Sequence, residues 1–159
     1  MIISFVKQED TEMKNDRSVM FTSIAIKAGM ILSIISLFIM PYAANVYRTV
    51  TIQDDDVTVP LLVTFYSCAA IGITILVILD KLINNIKKGD VFTEQNIKYL
   101  RILSYLCFAI AVITLIFARF RILSFIITFS SLFFALLLRV IKNCFTEAVR
   151  LREENDFTI

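Results

Sequence analysis

Four stretches of this chain carry no charged side chain over a length that matches the hydrocarbon core of a bilayer. They run over residues 28–47 (AGMILSIISLFIMPYAANVY), 59–79 (VPLLVTFYSCAAIGITILVIL), 102–118 (ILSYLCFAIAVITLIFA) and 122–138 (ILSFIITFSSLFFALLL). A core about 30 Å thick needs roughly 20 apolar residues at helical rise, with a working range of about 17–25. Inside a bilayer every backbone polar group must bond within its own segment, so such stretches become helices. A helix on the surface of a water-soluble core would show a polar face, and these stretches show none wide enough. The expected fold is therefore all-α: a polytopic membrane protein, a four-transmembrane-helix bundle forming a single domain over residues 1–159.

Which end faces the cytoplasm follows from where Lys and Arg lie. Residues 1–27 carry Lys7, Lys14 and Arg17, and Lys27 stands at the edge of the first span. Residues 80–101 carry Lys81, Lys87, Lys88, Lys98 and Arg101, and residues 139–159 carry Arg139, Lys142, Arg150 and Arg152. The opposite side has Arg48, Arg119 and Arg121, with Asp54, Asp55 and Asp56 in its first loop. Both termini and the middle loop are thus assigned to the cytoplasm. The opening MIISFVKQEDTEMKNDR is mixed in charge, unlike the basic start of a cleaved signal peptide, so the first span is expected to stay as an anchor. Spans three and four, joined by little more than Arg119-Phe120-Arg121, should form an antiparallel hairpin.

Composition argues against chemistry. There is no His, the commonest general base and metal ligand. No carboxylate lies deep in a span; Asp80 sits at the inner end of the second. Intramembrane ionisable groups mark proton relays and ion pathways, so a pump is disfavoured. Three widely spaced cysteines (Cys68, Cys107, Cys144) have neither metal spacing nor the pattern of a disulfide framework. Asp54-Asp55-Asp56 reads as a solvated outer loop, and a net charge of +2 gives no case for direct nucleic-acid binding. No catalytic residue, metal or cofactor is expected. Small and hydroxylated residues (Ser67, Cys68, Ala69, Ala70 and Gly72; Ser124, Thr128, Ser130 and Ser131) should serve close helix contact.

The segments outside the apolar stretches hold more information. After the second span, DKLINNIK continues the helix, and Gly89 fits the left-handed position that ends it, with Lys87 and Lys88 in the last turn. Thr93 is a natural N-cap for the next helix, with Glu94 in its first turn. Residues 80–101 thus read as two helix extensions joined by a tight elbow. Beyond span four, Ile141, Cys144, Ala148 and Leu151 recur at helical spacing. Glu147–Arg150 and Arg150–Glu154 are opposite charges three and four apart. Helices two, three and four are therefore expected to extend into the cytoplasm, the fourth to about Glu154. Asn155 would cap it, and Phe157 and Ile159 would form an extended hook folded onto the elbow or onto a partner.

The elbow GDVFTEQNIKYLR and the ending LREENDFTI resemble the two signatures of the bacterial domain-of-unknown-function 2975 family, small four-span membrane proteins. Gly89, Phe92, Thr93, Asn96, Leu100 and Arg101 fill its G-x-x-F-T-x-x-N-x-x-x-L-R elbow. Leu151, Glu154, Asp156, Thr158 and Ile159 fill its L-x-x-E-x-D-x-T-[IV]-like tail. The resemblance implies no established activity. Members are commonly encoded beside a small helix-turn-helix regulator, which implies by association a membrane-held control partner for it.

These readings converge on a non-enzymatic integral membrane regulatory or interaction protein. It would bind a cytoplasmic partner, such as a helix-turn-helix DNA-binding regulator, through elbow and tail. The candidate residues are Phe92, Thr93, Asn96, Arg101, Glu154, Asp156 and Phe157. The same residues are equally suited to bonding elbow to tail, with Arg101 paired to Glu154 or Asp156 and Asn96 capping exposed backbone. The alternative is a membrane sensor or immunity protein recognising an extracellular peptide or lipid through RTVTIQDDDVTV. A small transporter or channel subunit, requiring a homo-oligomer, ranks below both.

Overall fold

The computed structural model describes residues 2–50, 58–89, 91–118 and 124–156, and side chains over 17–46, 59–89, 91–118 and 124–154. Within them lie four helices: α1 (Ile2–Val50), α2 (Thr58–Lys87), α3 (Glu94–Phe117) and α4 (Ser124–Asp156). No strand occurs among the described residues. Each helix is long and apolar enough to cross a membrane. The acidic loop expected on the outer side, the Arg119–Arg121 link and the expected hook at 157–159 lie outside the described residues.

Burial along each helix explains how the four associate. On α1 a run of shielded positions, Val19, Ser23, Ile26, Met30, Ser33, Leu37, Met40 and Ala44, alternates four and three apart, with Gly29 and Ser36 shielded alongside it. That is a single heptad seam, the signature of a helix with one close neighbour. On α4 the same alternation runs through Ser124, Thr128, Ser131, Ala135, Leu138, Lys142, Phe145 and Val149. On α3 two seams lie side by side: Ile97, Leu100, Ser104, Cys107, Ala111, Thr114 and Ala118, and Asn96, Tyr99, Leu103, Leu106, Ile110, Ile113 and Phe117. On α2 the more exposed residues form one narrow stripe through Val59, Val63, Tyr66, Ala70, Thr74, Val77, Lys81, Asn84 and Lys87.

Edge helices with one seam and central helices with two produce a row in chain order. Among the described residues α1 packs on α2, α2 on α3 and α3 on α4, with no close approach of α1 to α3 or α4 or of α2 to α4. The bundle expected from sequence is therefore an open row. The accessible surface of 11874 Å² is roughly half as large again as the ~8,100 Å² of a compact water-soluble protein of this mass. Large side chains such as Phe38, Phe129 and Phe133 are mostly exposed, which fits lipid as the solvent: hydrocarbon does not drive apolar helices together.

Small and hydroxyl-bearing residues bring the helices close. Ser104 Oγ donates to the Ala135 carbonyl at 2.8 Å, and the Thr114 and Thr128 hydroxyls lie 2.9 Å apart. Both bonds cross the α3–α4 seam. Other hydroxyls donate to carbonyls of their own helix, as Ser33 does to Gly29, Ser67 to Val63 and Thr74 to Ala70. They satisfy themselves one turn back.

Between α1 and α2 the structure answers a more specific demand. Pro41 lies inside α1, and a proline has no N–H to give the carbonyl four residues earlier. That carbonyl belongs to Leu37, and the Tyr66 hydroxyl of α2 donates to it at 3.2 Å. A neighbouring helix thus re-satisfies the group the proline releases.

Candidate functional site

The elbow begins where α2 runs out. Lys88 N donates to the Asn84 and Asn85 carbonyls and Gly89 N to the Ile86 carbonyl, tightening the last turn. Gly89 then takes φ +85°, a left-handed value that costs an L-residue with a Cβ roughly 1–2 kcal/mol. Thr93 adopts an extended conformation (φ −128°, ψ 150°) and its hydroxyl accepts from Asn96 N. Both termini of the elbow are therefore as the sequence suggests: a glycine stop and a threonine start.

Its centre is Asn96, completely buried. The side-chain amide donates to the Val91 carbonyl at 2.8 Å, and its oxygen accepts from the Asn85 amide of α2 at 2.9 Å. One residue of α3 thereby holds both the link and the end of the preceding helix. Asn96 thus bonds a backbone carbonyl of the elbow itself, not of the tail; its second partner, Asn85, is not apparent from sequence. A pair of asparagines closing an apolar run is the signal that points to it.

Phe92 lies against Phe145 of α4, ring centroids 5.3 Å apart and planes at 47°, and still exposes 44% of its surface. Phe145, missed by sequence reasoning, is four residues past Ile141 on the half-buried stripe Ile141, Phe145, Ala148. Cys144 and Leu151, assigned to that stripe from sequence, are exposed instead. The shaft of α4 rotates its aromatic toward the elbow.

Arg101 does not pair with Glu154. Arg150 instead pairs with two acids of its own helix, Glu147 at 3.0 Å and Glu154 at 3.4 Å. The reason is register: α3 and α4 run antiparallel, so the Ser104–Ala135 and Thr114–Thr128 bonds set Arg101 near the level of Arg139 and Lys142. Glu154 lies at least 12 residues farther along α4, about 18 Å at helical rise. Arg101, Arg139 and Lys142 instead border one recess with Ser104 and Tyr105. α4 continues through Asn155 to Asp156, so Asn155 does not end it. The side chains of Asp156 and Phe157 lie outside the described residues. Of the candidate residues, the structure gathers Phe92, Thr93 and Asn96 into the elbow and leaves Arg101 and Glu154 apart on separate surfaces.

The elbow's residues fall within a stretch recognised by comparison. The family model described as "Protein of unknown function (DUF2975)" matches residues 42–159. The chain belongs to the DUF2975 family. That match covers α2, α3, α4 and the end of α1. No curated protein and no solved structure matches the chain. As a DUF2975 protein it has four helices suited to a membrane and no activity assigned to its family.

Proposed function

We propose that this DUF2975 protein is a non-enzymatic regulatory protein of the bacterial plasma membrane, both termini cytoplasmic. Its cytoplasmic face docks a protein partner on the elbow and on the part of α4 beyond the bilayer. The observation that supports this is how the elbow is built. A floppy loop would serve to connect two spans, yet here Asn96 is fully buried in a bonded network and Phe92 rests half-exposed on Phe145. An aromatic held rigid at a surface loses little entropy on binding, and such residues dominate protein interfaces.

The shaft of α4 adds area. Residues 139–156 are helical past the last apolar stretch, about 27 Å at helical rise. They present Leu151, 52% exposed, beside the charge-paired Glu147, Arg150 and Glu154. The partner favoured by the family resemblance is a small helix-turn-helix regulator, held at the membrane through its protein surface and not through nucleic acid.

The test is a photo-crosslinking residue placed at position 92 or 151, irradiated in native membranes. A soluble DNA-binding protein should be captured, and its yield should fall when residues 155–159 are deleted. If both positions capture only lipid, or if the deletion leaves the yield intact while changes in residues 48–59 abolish it, the reading is wrong.

A further inference from the structure

We infer that the cleft between α3 and α4 is a binding site for one anionic phospholipid of the leaflet that faces the elbow. The polar end is the recess bordered by Arg101, Arg139 and Lys142, with Tyr105 beside them. Three cations from two helices converge there, no carboxylate borders the recess, and none of the three forms an ion pair among the described residues. Like charges gathered in this way repel unless an anion joins them. Two guanidinium groups offer planar, bidentate donors suited to a phosphate. The Ser104 hydroxyl is already donating to Ala135, which leaves Tyr105, 58% exposed, as the neutral donor at the rim.

The recess is continuous with a second space through Ser104, Tyr105 and Arg139. This second space is an open groove whose other lining is Phe108, Leu132, Ala135 and Leu136. Direction decides the occupant. Arg101 and Arg139 stand immediately outside the apolar stretches of α3 and α4, and Phe108, Leu132 and Leu136 lie one to two turns inside them. A phosphate at the membrane surface with an acyl chain descending along the groove matches that polar-to-apolar order. A free phosphate would use the upper end alone. Basic pockets between transmembrane helices are known to take anionic headgroups. The site shares only Arg101 with the elbow motif, and it does not depend on a protein partner.

The experiment is native mass spectrometry of the full chain released from detergent, with phosphatidylglycerol, phosphatidylcholine or inorganic phosphate added at matched concentrations. Phosphatidylglycerol should be retained in preference to phosphatidylcholine, at one molecule per chain. A near-surface cation is worth about 1 kcal/mol toward an anionic lipid, which is about fivefold in affinity. The triple variant R101Q/R139Q/K142Q should therefore lose the preference by roughly a hundredfold. A control variant with the same charge change away from the cleft, K81Q/K87Q/K88Q, should keep it. Leu132→Trp, which fills the groove and leaves every cation in place, should weaken phosphatidylglycerol retention.

Equal retention of the two lipids overturns the proposal, as does equal loss in the two triple variants. Displacement of phosphatidylglycerol by equimolar inorganic phosphate, or indifference to Leu132→Trp, shows a phosphate site and not a lipid site, and overturns it too.

Discussion

The Pro41–Tyr66 pair allows one interaction to be isolated with unusual clarity. In Tyr66→Phe the ring and its packing remain, and the Leu37 carbonyl loses the hydroxyl that donates to it at 3.2 Å. Because Pro41 has no N–H, that carbonyl lacks the donor four residues on that a helix ordinarily supplies. A net hydrogen bond is worth about 0.5–1.5 kcal/mol, and a group left without a partner away from water costs about 1–3 kcal/mol. Double-mutant measurements within membranes average lower, about 0.6 kcal/mol. The orphaned carbonyl should lift this case above that average, to roughly 1–2 kcal/mol.

The decisive comparison repeats the change in a Pro41→Ala background. There the substituted alanine restores the helical N–H, the Leu37 carbonyl is satisfied within α1, and Tyr66→Phe should cost no more than about 0.5 kcal/mol. The assay is reversible unfolding in mixed micelles, followed by far-ultraviolet circular dichroism across an SDS titration, for the four members of the cycle. A coupling of about 1 kcal/mol between the two positions is expected. Additive costs, with Tyr66→Phe equally harmful in both backgrounds, would refute the account of why tyrosine stands opposite the proline.

Substitutions at five other positions test the remaining architecture. Asn96→Ala removes the side-chain bonds to Val91 and Asn85 from a fully buried site and should cost about 2–4 kcal/mol, seen as faster amide exchange over residues 91–100. Gly89→Ala should lose about 1–2 kcal/mol through backbone strain alone, since a Cβ there meets nothing within 4 Å; Gly89→Asn should lose less, as measured by the same titration. Thr114→Val with Thr128→Val breaks the hydroxyl pair across α3 and α4 and should cost about 0.6–1.7 kcal/mol. Arg150→Ala removes two ion pairs whose side chains are over half exposed; its cost should stay below about 1 kcal/mol and shrink further in high salt.

Much of the fold is legible in the sequence because the bilayer restricts the choices so severely. Four uncharged stretches can only be helices, and Gly89 and Thr93 mark their ends by chemistry local to each residue. Facing is another matter. In a helix that is apolar all round, hydrophobic periodicity cannot distinguish lipid from neighbour. The signal sits instead in small residues such as Ser33, Ala44, Ser131 and Ala135, whose spacing of three and four becomes visible once attention moves from greasiness to size. Those seams also make α1 an edge helix, which is why a closed bundle does not form. Asn85 and Phe145 escape sequence reasoning because each acquires its role from an element distant in the chain. Charge alone pairs Arg101 with Glu154, and antiparallel register keeps them apart.

The open row has a consequence for assembly. Each helix needs only the one made just before it, so no seam waits for a distant part of the chain. Low separation between partners favours rapid folding, and here it also suits a chain threaded into the bilayer from its N-terminus. Stability becomes close to a sum over three successive zippers, as in linear repeat arrays. Drawn mechanically from the N-terminal end, α1 should peel away first at the cost of a single seam, with the α3–α4 hairpin and its cleft surviving until the last step.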